Sequence, residues 1–156
     1  NVDALMRKAK FESTVTNGMA VKLSIATEGD WDVFTGVVAT SSDKNIGFVC
    51  SPEVMRLAVG SIYGGSDPRY FEVPAGKVAD VCMVNLYDVF QASVDCFEEG
   101  YAPSDVEGAT YVVVGTGGKL RAATSVGSGR AFELGVQKNI EIGNESVPAW
   151  MIGCIA

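Results

Sequence analysis

The sequence predicts an all-β fold: a small β-barrel or sandwich of short antiparallel strands, with one short helix and an N-terminal arm. Composition gives the first indication, since 18 glycines among 156 residues and a charged fraction of only 20% favour tight turns over helices. The second is residues 108–156, which show the pattern of four strands separated by three glycine-containing turns. The length is sufficient for one domain with its own core.

We assign residues 1–16 to the N-terminal arm and residues 17–156 to a single β domain. Four apolar residues of the arm have the spacing of one helical face: Val2, Leu5, Met6 and Ala9. A helix this short is marginally stable alone in water. The arm is therefore expected either to become ordered on a partner or to pack on its own domain, and the sequence favours neither alternative.

The first predicted strand follows the Asn17-Gly18 turn, because apolar and polar residues alternate from Met19 to Ala26. A buried strand is predicted at Gly36–Ala39 and another at Ile46–Cys50. Ser51 is a suitable N-cap residue and is followed by a proline, which predicts a short helix from Pro52 to Val59.

Three further strands are predicted at Tyr70–Val73, Val78–Tyr87 and Phe90–Cys96, the second of them central in the sheet. Gly115–Lys119 resembles a phosphate-binding loop, but a strand follows it where that loop needs a helix. We therefore predict a hairpin turn at Gly115–Gly118.

The alternation from Phe132 to Ile142 places apolar residues at most even positions and polar residues at most odd ones, which is typical of a half-buried strand. The same reasoning in the other strands predicts the core. Its members are Val21, Leu23, Ile25, Val84, Leu86, Phe132, Leu134, Val136 and Ile152.

The chemistry-bearing residues predict no catalytic, cofactor or metal site, and hence a protein that is not an enzyme. The chain has no histidine, which excludes the usual zinc sites and a Ser-His or Cys-His pair. The four cysteines stand singly in apolar runs, so we predict unbonded core thiols. Adjacent acids such as Glu98-Glu99 are expected to face water.

The net charge of −7 repels a phosphate backbone, so no nucleic-acid partner is expected. No apolar run reaches the roughly 20 residues of a membrane helix, and no membrane partner is expected. The arm carries a net charge opposite to that of the rest. The residues best suited to an interface are arm residues and exposed aromatic candidates: Leu5, Met6, Arg7, Lys8, Phe11, Trp31 and Tyr63.

The C-terminal third carries a series of short motifs: Tyr111-Val112-Val113-Val114, Gly118-Lys119-Leu120, Gly129-Arg130-Ala131-Phe132, Gly135-Val136-Gln137 and Val147-Pro148-Ala149-Trp150-Met151-Ile152. With the earlier Val73-Pro74-Ala75-Gly76, this part of the chain resembles the capsid decoration (cement) proteins of tailed bacteriophages.

The resemblance implies a structural protein that assembles in the host cytoplasm and binds the outer surface of the capsid. Its partner would be the major capsid protein, and it would form a homo-oligomer, with a trimer favoured. A coat or tail-tube component is an alternative in the same class. A small-ligand-binding β-barrel, with a sugar or lipid head in its interior, is the alternative from another class.

Overall fold

The computed structural model describes residues 6–26, 29, 32–51, 55–56, 62–63, 71–142 and 144–156. Strands are the main element of these residues and helix is almost absent, which confirms the all-β prediction. Two single-turn 3₁₀ helices, Val94–Cys96 and Thr116–Gly118, lie between strands. The described strands are β1 Met6–Phe11, β2 Val15–Thr16, β3 Ala20–Ser24, β4 Val33–Val38, β5 Gly47–Val49, β6 Met55–Arg56, β7 Ile62–Tyr63, β8 Glu72–Val73, β9 Val78–Met83, β10 Val89–Ser93, β11 Tyr111–Val114, β12 Leu120–Ala123, β13 Ala131–Ile142 and β14 Glu145–Cys154.

One half of the fold is a closed barrel with the strand order β1-β4-β3-β5-β9. Strand β1 closes it, since β1 runs parallel to β4 on one side and antiparallel to β9 on the other. Inward and outward side chains alternate along each strand. The inward side chains, with those around the small β2–β8 pair, form one buried cluster: Ala9, Phe11, Val15, Val21, Val49, Phe71, Val73, Ala79 and Val81.

The predicted helical character of the N-terminal arm is wrong for residues 6–11, which form β1 inside the barrel. Ala9 is fully buried, and the Phe11 ring lies directly against Gly36 of β4. A short helix would leave much of its backbone to water, whereas β1 is hydrogen-bonded on both sides. This part of the arm therefore packs on its own domain, and residues 1–5 lie outside the described residues.

The other half is a five-stranded sheet with the order β10-β14-β13-β11-β12. Trp150 of β14 is buried edge-to-face against Phe97, with the ring centroids 5.6 Å apart. The sheet shares its core with the barrel, because Ala20 of β3 and Ile46 belong to the same buried cluster. The full cluster is Ala20, Ala39, Ile46, Val84, Ala92, Phe97, Ala102, Val112, Val114, Leu120, Phe132, Trp150, Ile152 and Cys154.

A β-bulge in β13 makes the core prediction wrong at Val136, whose side chain is 62% exposed. Leu134 pairs with Ile152 and Gln137 with Trp150, so two residues of β13 stand opposite one residue of β14. Because an extra residue shifts the alternation, side chains beyond the bulge change face. Phe132, before the bulge, is fully buried as predicted.

Two other predicted core residues, Ile25 and Leu86, are also exposed. Ile25 lies beyond the end of β3, and Leu86 lies in a turn between β9 and β10. At both positions the apolar alternation of the sequence continues beyond the residue at which the strand ends, so the pattern alone predicted burial. Val21, Val84 and Ile152 are buried as predicted, while Leu23 and Leu134 are half-buried against the core clusters.

The predicted helix at Pro52–Val59 is wrong at Met55–Arg56, which form β6 and pair with Ile62–Tyr63. The remainder of that prediction lies outside the described residues. The hairpin at Gly115–Gly118 is confirmed: the Gly115 N–H donates to Lys119 O at 2.7 Å, and Gly117 and Gly118 have positive φ angles. Glycine is suited to this turn because it adopts positive φ without a steric penalty.

All four cysteines are free, as predicted. Their predicted burial is correct for Cys154 alone. Cys82 and Cys96 are half-buried, and Cys50 is exposed because it directly follows β5 on the outer face of the barrel.

Candidate functional site: an apolar pocket beside a free strand edge

Among the predicted interface residues that the structure describes, Phe11 does not share a surface with Met6, Arg7 and Lys8. Met6, Arg7 and Lys8 lie on β1, where Met6 is half-buried and the other two are exposed. Phe11 is only 2% exposed and fills the barrel, so the prediction of a surface role for it is wrong. Tyr63 lies in β7. Leu5 and Trp31 fall outside the described residues.

A better candidate is an apolar pocket of about 370 Å³ between the barrel and the five-stranded sheet. Such a volume lies within the range of small-molecule and side-chain pockets. The barrel contributes Phe48 and Met83, the sheet contributes Phe90 and Ala92, and Leu120 also lines it. Apolar side chains thus cover the pocket from both halves of the molecule.

Aromatic stacking fixes the walls of the pocket. The Phe48 and Phe90 rings meet edge-to-face with centroids 5.0 Å apart, and Phe90 meets the buried Phe132 in the same way at 5.4 Å. Edge-to-face pairs are a preferred geometry of aromatic rings. Because Phe132 is fully buried, the wall is anchored in the shared core.

The pocket adjoins the edge of β10, which pairs with β14 on one side and, in the described part of the chain, with no strand on the other. Alternate backbone N–H and C=O groups of an edge strand point away from the sheet and are free to pair. The opposite edge of the same sheet differs. There the Glu98 N–H donates to Leu120 O at 2.8 Å and the Ala122 N–H to Tyr101 O at 2.9 Å, so the segment 97–101 covers β12.

Exposed apolar side chains surround the β10 edge. Leu86 is 52% exposed, Tyr87 86% and Val89 63%. Among the described non-glycine residues only Tyr87 has a positive φ, of 69°. Such a backbone conformation is unfavourable for a bulky residue, and here it accompanies a side chain held out in solvent. The free edge, the pocket and these three side chains together form what we term the β10 surface.

The lining of the pocket is almost uncharged and includes the Cys82 thiol. Among the described residues that line it, only Asp88 is charged, and its Oδ2 accepts a hydrogen bond from the Asn85 N–H at 2.7 Å. Cys96 also lines the pocket, and burial raises the pKa of its thiol above the ordinary value. Cys96 is therefore a neutral thiol at physiological pH, and the pocket can accommodate an apolar group.

A second exposed feature lies in the β13–β14 hairpin. From Gly135 to Asn139 the side-chain positions of β13 are exposed or half-buried, with no buried position. The paired strand β14 is not exposed in the same way, since Val147, Ala149 and Trp150 are buried. Residues 135–139 of β13 therefore form a second exposed surface, open to contact with another molecule.

Sequence reasoning missed the β10 surface. The alternation of Phe90 and Ala92 with polar residues identified the strand, but alternation does not say which strand is at an edge. The one available signal is the run Leu86, Tyr87 and Val89, three large apolar residues in and next to a turn, where polar residues are usual.

No protein-family model, curated protein or solved structure matches this chain. In the described residues no helix has the length and apolarity needed to cross a membrane.

Proposed function

We propose that this chain is a structural virion protein, a capsid decoration protein that binds the major capsid protein on the outer surface of a tailed-phage head. The observation that carries the proposal is the β10 surface, where an unpaired strand edge adjoins an apolar pocket. The resemblance of residues 111–152 to decoration proteins supplies the kind of partner.

The β10 surface fits an extended segment of the partner. Such a segment would add a strand to the edge of β10, so that backbone hydrogen bonds supply affinity and a side chain in the pocket supplies specificity. One large apolar side chain moved from water into the pocket contributes about 1.5 to 3 kcal/mol. Many copies bound to one shell would therefore add stability to it without any chemistry.

The exposed stretch of β13, residues 135–139, supports self-association. A trimer, as the resemblance implies, would bring three hairpins together and bury the exposed residues of β13, among them Val136. Assembly of this kind would take place in the host cytoplasm, and the finished protein would lie at the capsid surface.

The test is co-sedimentation with tailed-phage capsids assembled from purified major capsid protein. Val89→Lys puts a charge at the free edge and should weaken binding about tenfold or more, because a lysine at an edge blocks strand addition. Val37→Lys is the matched control, since Val37 is also exposed, at 53%, but lies on β4 of the barrel.

Both variants should melt within a few degrees of the wild type. Failure of the wild-type protein to co-sediment with any such capsid would overturn the proposed function. If Val89→Lys binds capsids as the wild type does while Val37→Lys loses binding, the binding surface lies on the barrel and not on the sheet. A coat or tail-tube component would instead form long assemblies by itself.

Small-ligand binding is a second candidate, favoured by the 370 Å³ apolar pocket. The barrel interior is filled by side chains such as Phe11 and Val21, so a ligand would lie between barrel and sheet instead. The lining selects an apolar ligand over a sugar. The test is titration with a fluorescent apolar dye. Saturation at one equivalent, with the protein still monomeric and with dye binding lost in the Ala92→Phe variant, would favour this function.

A further inference from the structure

Three sulfur-bearing side chains lie together on the outer face of the barrel, where β9 has β1 on one side and β5 on the other. Met6 of β1 stands directly opposite Cys82 of β9. Cys50 directly follows β5, and its backbone N–H donates to Asp80 O of β9 at 2.9 Å. Because Val81 points into the barrel, its neighbour Cys82 lies on the outer face with the other two.

The sulfur atoms of two of these residues already have the separation that a shared metal ion requires. The distance from Cys50 Sγ to Met6 Sδ is 3.9 Å. Two sulfur ligands at about 2.3 Å from one ion, with an angle of about 120° between them, lie about 4 Å apart. Cys82 is the cross-strand partner of Met6, and directly opposite residues of an antiparallel pair have their Cβ atoms about 4.5 to 5.5 Å apart.

We propose that Met6, Cys50 and Cys82 form a binding site for a soft monovalent metal ion of the Cu(I) type. Thiolate and thioether sulfurs favour Cu(I) over hard cations. The described residues contain no group of three His, Cys, Asp or Glu side chains placed to hold a metal. This site differs because a thioether is its third ligand.

Binding of the ion deprotonates the two thiols and changes the oxidation state of neither sulfur nor copper. The Cys50 and Cys82 thiols each release a proton to solvent, and each sulfur donates an electron pair to the ion, as does Met6 Sδ. The copper enters and remains as Cu(I). Since Cys50 is exposed, the ion reaches the site directly from solvent. The three ligands belong to three chain segments, so the bound ion links β1, β9 and the end of β5.

The site is tested on the full chain under anaerobic conditions, with Cu(I) shared between the protein and a chromophoric Cu(I) chelator. The wild type should take up one equivalent. Cys50→Ser and Cys82→Ser should each reduce the affinity about 100-fold, and Met6→Leu about tenfold. One equivalent of Cu(I) should also raise the melting temperature of the wild type, because the folded barrel alone presents the complete site.

Cys96→Ser and Met151→Leu are the matched controls, because they remove a thiol and a thioether from the sheet half of the molecule. Both should bind Cu(I) as the wild type does. Uptake of no copper by the wild type would overturn the proposal, as would an equal loss of affinity in Cys96→Ser. Circular dichroism of each variant separates loss of a ligand from loss of the fold. The result does not depend on the proposed capsid function.

Discussion

The barrel and the five-stranded sheet differ in whether their edge strands are paired. In the barrel every described strand has a neighbour on both sides, since β1 joins β4 to β9. In the sheet the two end strands differ, because the segment 97–101 covers β12, while β10 pairs with no described strand on its outer side. A closed barrel has no edge to offer a partner, whereas an open edge is a site for strand addition. Under the proposed function, the barrel is the scaffold and the sheet is the half that binds the partner.

Deleting residues 1–12 should have the largest effect on stability, and it should act on the barrel and not on the sheet. The deletion removes β1, opens the barrel between β4 and β9, and exposes the interior that Ala9 and Phe11 now fill. We expect loss of cooperative unfolding in the barrel half, measured by circular dichroism and differential scanning calorimetry. A truncated protein that melts within a few degrees of the full chain would show that β1 is dispensable and that the N-terminal segment is an arm after all.

Phe132→Ala tests whether the two halves depend on one core. Phe132 is fully buried and its ring lies 6.0 Å from Phe48 of the barrel and 5.4 Å from Phe90 of the sheet. We expect a loss of about 3 to 5 kcal/mol in the free energy of unfolding, measured in urea. The control is Val136→Ala in the same strand beyond the bulge, where the side chain is exposed and the change should stay within about 0.5 kcal/mol. Equal losses would mean that the bulge does not reverse the face of Val136.

Asp43→Asn tests the side-chain contacts of a barrel loop and should have the smallest effect. The Asp43 carboxylate pairs with Lys22 at 2.8 Å and accepts hydrogen bonds from Thr40, and these contacts lower its pKa from 3.8 to about 2. A depressed pKa stabilises the fold above the unfolded-state value, and this contribution is lost as the pH falls through 4 towards 2. Since Lys22 is half exposed, we expect about 1 kcal/mol or less at pH 7.

Denaturant unfolding of wild type and Asp43→Asn at pH 7 and at pH 2 measures this contribution. The difference between the two proteins should be present at the higher pH and close to zero at the lower one. A difference that grows as the pH falls would contradict the assigned direction of the pKa shift. The backbone of Asp43 also accepts a hydrogen bond from the Arg130 N–H at 2.8 Å, which joins this barrel loop to the sheet and is retained in the variant.

Much of the strand content could be predicted from the sequence, because the alternation of side chains is a local property. Val21 and Phe132 were placed correctly on that basis. Val136 was not, because the bulge before Gln137 is fixed by pairing with β14 and not by local pattern. In the N-terminal segment, Met6 and Ala9 fit a helical spacing while Ala9 and Phe11 fit a strand spacing, so a short segment carries both signals.

The candidate site could be predicted only in part. The sequence indicates aromatic residues that suit an interface, but it does not indicate which strand lies at the end of the sheet. The β10 surface depends on that position, which is decided by contacts between residues far apart in sequence. The same is true of the sulfur cluster, since Met6, Cys50 and Cys82 meet only after the barrel has closed. Their spacing in the sequence resembles no metal motif.

The closure of the barrel by its first strand also sets an order of events during folding. Strand β1 is synthesised well before one of its two neighbours, β9, which ends only at Met83. The hydrogen-bonding groups on that side of β1 therefore stay unpaired until some seventy further residues have left the ribosome. Pairings between such distant segments slow folding and lengthen the exposure of unpaired edges. A chain released early, or one in which β9 forms late, would expose β1 to other chains and be prone to aggregate.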